Sequence, residues 1–232
     1  MISVIIPTYN EELYIGALLT QILGSNGVDD IEVLIVDSGS SDRTLQVAGN
    51  FEGLRILSTE KGRSKQMNLG AKEARGDILF FLHADSSLPE NSFELIRDSL
   101  NNRPNCAGTF FLEFDKKGFW YSFYSRCSRI KHPLLTYGDQ GLFIRKKLFF
   151  EFGGFPDVPI LEDYLLIRKL YYKKALIKLN QAITTSSRRF EKSGVIRQQL
   201  KNILIILTYH LKIDIHRLAR WKKKKKNPPI RR

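Results

Sequence analysis

VLIVDSGSSDRT, residues 33–44, decides the fold. It completes an apolar run over 31–36 that is short and rich in β-branched residues, so it reads as a buried strand. The run stops at Asp37. Ser38-Gly39-Ser40-Ser41-Asp42 is turn chemistry, with Ser41 or Asp42 placed to cap a helix around 44–48.

The same succession of strand, turn and helix recurs on both sides. Residues 3–6 are an apolar run ended by Pro-Thr-Tyr-Asn, and Leu13, Ile15, Leu18, Leu19 and Ile22 give residues 11–23 a helical pattern. A third strand is expected over 54–57, a helix over 65–74, and a fourth apolar run over 78–82 that leads into His83-Ala84-Asp85. Strands alternating with helices imply right-handed crossovers and a mostly parallel central sheet flanked by helices, an α/β fold. Ligands of such sheets sit beyond the carboxyl ends of the strands. The polar clusters at 8–10, 37–42 and 83–85 all fall there.

The second half is less regular. Strands are expected over 106–114 and 141–145, an aromatic-rich helix over 118–130, a helix over 162–173 opened by Glu162-Asp163, and an edge strand over 175–179. Apolar residues at Ile196, Leu200, Ile203, Leu204, Leu207, Leu211, Ile215 and Leu218 predict one long amphipathic helix over 195–221.

The chain has 232 residues and a formal net charge of +13. Its hydrophobic (43%) and charged (26%) fractions are those of a globular protein, which excludes wholesale disorder and fibrous repeats. Residues 1–187 are neutral, and the charge comes from 188–232, where 15 Lys and Arg face only Glu191 and Asp214. Three parts follow: a catalytic body over 1–187, a basic helical extension over 188–221, and a disordered polybasic tail over 222–232. Cys106 and Cys127 are too few for a disulfide framework and form no Cys-x-x-Cys pair. The opening MISVIIPTYNEE lacks a basic segment and its apolar run ends at Pro7, so it does not read as a signal peptide. No stretch approaches the roughly 18–20 apolar residues of a membrane span. The expected location is cytoplasmic, peripheral to the inner face of the membrane.

No G-x-G-x-x-G, Walker A, H-E-x-x-H or G-x-S-x-G motif is present, which removes the main support for redox, P-loop and α/β-hydrolase chemistry. Three acidic groupings remain. Asp37 can accept hydrogen bonds from a base or ribose, or cap its own turn. Asp85, with His83, can hold a divalent cation against a diphosphate. Glu162-Asp163 can serve as a general base, or be a helix N-terminus that favours negative charge. Phe119, Trp120, Tyr121 and Tyr124 are read mainly as core, with an acceptor wall as the alternative.

In this order, SVIIPTYNEE (3–12), VLIVDSGSSDRT (33–44), GRSKQMNLGAKEARGDILFFLHADS (62–86) and GDQGLFIRKKLFFEFGGFPDVPILEDYLL (138–166) resemble the family 2 glycosyltransferases, which have the GT-A fold. The chain is most similar to a functionally uncharacterised bacterial branch with HAD in place of D-x-D, described by similarity as acting on carotenoid-type or lipid acceptors. The resemblance implies that Pro7, Thr8, Tyr9 and Glu11 line a base and ribose pocket and that Asp37 contacts a uracil-type base. Gly62, Arg63 and Asn68 would lie near the nucleotide, and Ala84 and Asp85 at the diphosphate. Asp85, joined by His83, would ligate Mn²⁺ or Mg²⁺. Asp163 would be the general base for inverting attack by an acceptor hydroxyl, supported by Glu162, with Asp139, Gln140 and Trp120 on the acceptor side. Two positions depart from the pattern: Ser38 stands where many members have a second aspartate, and His83 where D-x-D has its first. An imidazole suits Mn²⁺ better than Mg²⁺.

The implied partners are a UDP-type nucleotide sugar, a lipid or glycan acceptor, and an anionic membrane surface for the basic C-terminus. Nucleic acid ranks lower, because no recognition motif accompanies the charge. Two rival functions stand beside this one. A nucleotidyltransferase would be expected to carry a Gly-rich basic loop after the first strand, and PTYNEE has neither glycine nor lysine. A non-catalytic nucleotide- or nucleic-acid-binding protein is the other.

Overall fold

The computed structural model describes residues 1–25, 30–188, 194–211, 213–215 and 217–219. The first half alternates as expected: β1 (Ile2–Thr8), α1 (Ile15–Leu23), β2 (Ile31–Asp37), α2 (Thr44–Ala48), β3 (Leu54–Ser58), α3 (Arg63–Glu73) and β4 (Ile78–Phe81). After β4 come β5 (Ser86–Ser87), α4 (Ser92–Asn102), β6 (Ala107–Phe114) and α5 (Phe119–Ser128). The chain continues with β7 (Leu142–Arg145), α6 (Lys146–Glu151), α7 (Glu162–Tyr172), β8 (Leu176–Thr185) and α8 (Val195–His210).

Among the described residues the strands form one sheet in the order β3-β2-β1-β4-β7-β6-β8-β5. It is parallel from β3 to β4 and again between β6 and β8, with β7 antiparallel to both its neighbours. Alternate side chains of β1, β2 and β4 enter opposite cores, as the two-residue period of a strand requires. Val4, Ile6, Val33, Ile35 and Phe80 meet α1 and α4. Ile5, Leu34, Val36, Leu79 and Phe81 meet α3 and α7. Burial on both faces explains why these strands read as continuous apolar runs. Register then aligns their ends, with Thr8 opposite Asp37 and Asp37 opposite Ser58. The polar clusters therefore share one edge.

Three expectations are corrected. The strand expected over 175–179 is longer than its apolar part: β8 extends to Thr185, where Thr184 and Thr185 pair with β5, while 176–179 keep the expected edge position, with β6 as their partner among the described strands. Pairing with β6 resumes at Ala182 after an irregularity that spans Asn180 and Gln181, whose polar side chains hid the continuation. The C-terminal helix ends at His210 instead of continuing to 221, with Leu211 as its cap. Beyond it the Asp214 carboxylate accepts from the Arg217 N–H at 2.8 Å and so caps a separate helical turn that begins at Ile215. Finally, α5 is a surface helix. Phe119 (75% exposed), Trp120 (46%) and Phe123 (55%) face outward, while Tyr121 and Tyr124 lie on Phe114.

α8 rests on the body through Ile205 beside Ile160, immediately before α7, and His210 Nε2 lies 2.8 Å from the Tyr164 hydroxyl. The polybasic segment 222–232 lies outside the described residues. No helix among the described residues is long and apolar enough to cross a membrane. Cys106 and Cys127 are free thiols.

Candidate active site

At the carboxyl ends of β1 and β4 a cleft is walled by Pro7, Arg63, His83, Gly138 and Asp163, over an apolar floor that includes Met67, Phe81 and Phe155. Wall residues from five separate stretches of the chain thus meet at one edge of the sheet, where an α/β fold places its ligands.

The Asp163 carboxylate opens α7, where the helix dipole favours negative charge. One oxygen accepts from the Gly138 N–H and the other from the Tyr164 N–H, each at 2.7 Å. These bonds fix the carboxylate at the cleft and leave it acceptor capacity for a further proton donor. Leu161, in left-handed conformation at φ 68°, turns the chain sharply into this helix. Glu162 is buried, and its Oε1 lies 3.7 Å from Arg63 Nη1, so the second acid of the pair balances the arginine that heads α3.

The turn presenting Gly138 has its own support. Gln140 is fully buried, donating to the Leu135 carbonyl at 2.8 Å and accepting from Lys178 Nζ at 2.8 Å. Lys178 also donates to Thr136 Oγ1 at 3.1 Å and to the Ser128 carbonyl. Burial lowers the Lys178 ammonium to about 8, against the opposing pull of Asp139. Tyr137, beside the same turn, is pushed above its ordinary value by burial and by the charges of Asp139 and Asp163. Gln140 therefore braces the turn that presents Gly138. Trp120 stacks with Phe119 and Phe123 on the exposed face of α5 instead of lining the cleft.

On the nucleotide side, Asp37 is buried and accepts four hydrogen bonds: from Thr8 Oγ1, from the Gly39 and Ser40 N–H groups, and from Ser40 Oγ. These donors occupy the carboxylate's acceptor sites, which is the turn-capping role the sequence also allowed. Asn10, in left-handed conformation at φ 56°, accepts from the Ser41 N–H, binding the loops after β1 and β2 together. Asn68 donates to the Phe155 carbonyl at 2.7 Å and accepts from the Phe155 N–H at 3.0 Å, so it holds the floor in place. Tyr9 is exposed just after β1, and its hydroxyl accepts from Lys61 Nζ at 2.8 Å. Gly62 precedes Arg63 as the N-cap of α3, and Ala84 is buried beneath the turn after β4.

Asp85 lines a recess next to the cleft that His83 lines. Its Oδ2 lies 3.2 Å from Arg188 Nη2, which also reaches Glu11 Oε2 at 2.5 Å. Burial works against the charge on Arg188, but Glu11 and Asp85 outweigh it and hold the guanidinium above its ordinary value. No group of three His, Cys, Asp or Glu is gathered as a metal site among the described residues. Asp85 and His83 are the donors present, so a cation here would need ligand oxygens to complete its shell.

Sequence reasoning missed Gln66, Lys178 and Arg188. Gln66 is buried on α3 and donates to the Thr8 and Val36 carbonyls, both at 2.8 Å, joining the ends of β1 and β2. Its place inside the quoted GRSKQMN stretch was the available signal. Lys178 and Arg188 carried none, because each gains its meaning from partners far away in the chain.

Residues 3–156 match glycosyl transferase family 2. The chain belongs to that family. An uncharacterized glycosyltransferase of Haemophilus influenzae is 27% identical over 212 residues, covering 84% of this chain and 71% of that protein. Among solved structures, S. aureus TarS 1–349 in complex with UDP has a TM-score of 0.67 at 22% identity, over 88% of this chain and 65% of that one. Mannosyltransferase PcManGT from Pyrobaculum calidifontis, in complex with GDP-Man and Mn²⁺, has a TM-score of 0.62 at 23% identity, over 79% of this chain and 56% of that one. These likenesses establish the GT-A fold of the family 2 chain, which spans less than two thirds of either solved structure.

Proposed function

We propose that this family 2 chain transfers a sugar, with inversion, from a UDP-type nucleotide sugar to a hydroxyl of a lipid or membrane-proximal acceptor. The observation that carries the chemistry is the Asp163 carboxylate, held at both oxygens and facing the same cleft as Pro7, Arg63 and His83. Asp163 takes the acceptor hydroxyl's proton as that oxygen attacks the anomeric carbon. The bond from the anomeric carbon to the diphosphate breaks on the opposite face, and the diphosphate leaves with the electron pair. Arg63, balanced by Glu162, adds positive charge near the departing group. Asp85 and His83 would hold Mn²⁺ or Mg²⁺, which would supply further charge neutralisation at the diphosphate. The UDP bound to TarS and the Mn²⁺ bound to PcManGT support the donor and metal assignments.

The acceptor reading rests on the surface. Phe119, Trp120 and Phe123 on α5 and Leu200, Ile203, Leu204 and Leu207 on α8 are exposed, and the 15 basic residues lie from Arg188 onward. Exposed aromatic and aliphatic side chains in a chain whose C-terminal sequence is densely basic suit an anionic bilayer surface. We further assign the body to 1–187 and the surface-seeking part to 188–232, with an inner-membrane-face location.

Calorimetry with UDP, with and without Mn²⁺, tests the donor site. Asp163→Asn is expected to abolish UDP release from a UDP-sugar over membrane lipid while UDP binding persists. Turnover retained in that variant removes Asp163 as the base. Asp85→Ala is expected to erase the Mn²⁺ enhancement of UDP binding, and an unchanged enhancement removes Asp85 from the metal.

A further inference from the structure

Arg188 is the first residue of the basic C-terminal stretch, yet it turns back into the body. It lies on the face of Tyr14, 4.4 Å from the ring centroid, and its Nη2 bridges Glu11 at 2.5 Å and Asp85 at 3.2 Å. Glu11 follows β1 and Asp85 follows β4, two strands that are neighbours in the sheet. The guanidinium therefore spans the gap between the two strand ends that the nucleotide-sugar reading assigns to ribose and to diphosphate.

Two features make this more than a surface ion pair. The side chains of Asp85 and Glu11 are 6% and 17% exposed, so their charges are largely withdrawn from water and depend on a cation to offset them. The backbone just before it is also anchored to the same region. The Ser186 N–H donates to the Asp85 carbonyl at 3.2 Å, and the Ser187 N–H donates to Asp115 Oδ1 at 2.9 Å. A planar guanidinium matches a pair of phosphate oxygens as well as it matches carboxylates.

We propose that Arg188 is a donor-diphosphate ligand parked on Asp85 and Glu11 when no donor is bound. Arrival of the diphosphate, with or without a cation on Asp85, moves the guanidinium onto phosphate oxygens. The same residue then ties the start of the basic stretch to the state of the donor site. This inference rests on the UDP-type reading above.

Calorimetry with UDP and with uridine, on the full chain in EDTA and again in Mn²⁺, tests it. Arg188→Ala is expected to weaken UDP about tenfold or more in EDTA, the scale of a charged hydrogen bond, while uridine changes less than about twofold. Arg188→Lys, which keeps the charge without the fork, is expected to fall between. Equal weakening of uridine and UDP would make Arg188 a structural brace and overturn the proposal, as would no weakening of either. Melting curves of each variant show whether the fold is retained. If wild-type protein binds neither ligand, the uridine-nucleotide reading itself falls, and the inference with it.

Discussion

Gln66→Met tests whether the donor pocket is held together by one buried amide. Methionine keeps the length, the unbranched shape and the helix propensity of glutamine, so the main change is the loss of two donors. Both bonds are 2.8 Å, at a residue 5% exposed, and they join carbonyls of β1 and β2. Each is worth about 1 kcal/mol net, and a carbonyl left unpaired adds a further penalty of about 1 kcal/mol or more. The Thr8 carbonyl keeps a partner in the Ser38 N–H at 3.2 Å, which limits that penalty. The expected loss is about 2–3 kcal/mol. For a chain of this length that lowers Tm by about 4–12 °C. Because Thr8 and Val36 flank the Asp37 loop, UDP affinity should fall as well. Gln66→Glu sharpens the test by placing an acceptor against two acceptors. Its folded-state pKa would rise above the unfolded value, since the protonated form can donate. The folded protein would then bind the extra proton, so stability would be highest at low pH and lost as pH rises through the folded pKa. Urea and thermal melts from pH 4 to 8 measure both variants. A Gln66→Met melt within about 1 °C of wild type, or a Gln66→Glu variant indifferent to pH, refutes the reasoning.

Gly138→Ala would place a methyl carbon 2.8 Å from Asp163 Oδ2 and 3.2 Å from its Cβ, displacing the carboxylate. UDP release during transfer should drop on the order of a hundredfold with UDP affinity unchanged; full activity would show that the base tolerates the shift. Lys178, lowered by burial to about 8 from an ordinary 10.5, leaves the unfolded chain holding more protons between those values. This lysine should therefore make stability rise with pH across that window, and Lys178→Met should remove the rise. Identical pH slopes in urea melts of the two proteins would count against it. Flotation on anionic vesicles should weaken when residues 222–232 are removed and again with Trp120→Ser and Phe123→Ser. Equal flotation of all forms would withdraw the membrane assignment.

The corrected elements show where local pattern fails. β8 was half hidden because Asn180, Gln181, Thr184 and Thr185 are polar, yet β6 supplies the pairing partner from about 70 residues away. α5 read as core because three of its first four residues are aromatic. Exposure, however, depends on which side of a helix meets the sheet, and its Tyr121 and Tyr124 take that side against Phe114. The long C-terminal stripe kept its apolar spacing past His210, where α8 ends, and Asp214 caps a separate turn beyond it.

By itself the sequence determined the parallel half of the sheet and the acids at its ends. Buried parallel strands are apolar on both faces and stop at polar turns, so their signal is local and survives without partners. It also separated a neutral body from a basic C-terminus. Only the tertiary structure decided what the polar residues at those ends do. Asp37, Asn68 and Gln140 spend their hydrogen bonds on nearby backbone groups, hydroxyls and Lys178, leaving Asp163 as the carboxylate presented at the cleft. Gln66 and Arg188 acquire roles by meeting groups 30 to 177 residues distant. A side chain's donors and acceptors are visible in its type. Whether they are still free to meet a ligand depends on the neighbours that long-range packing brings.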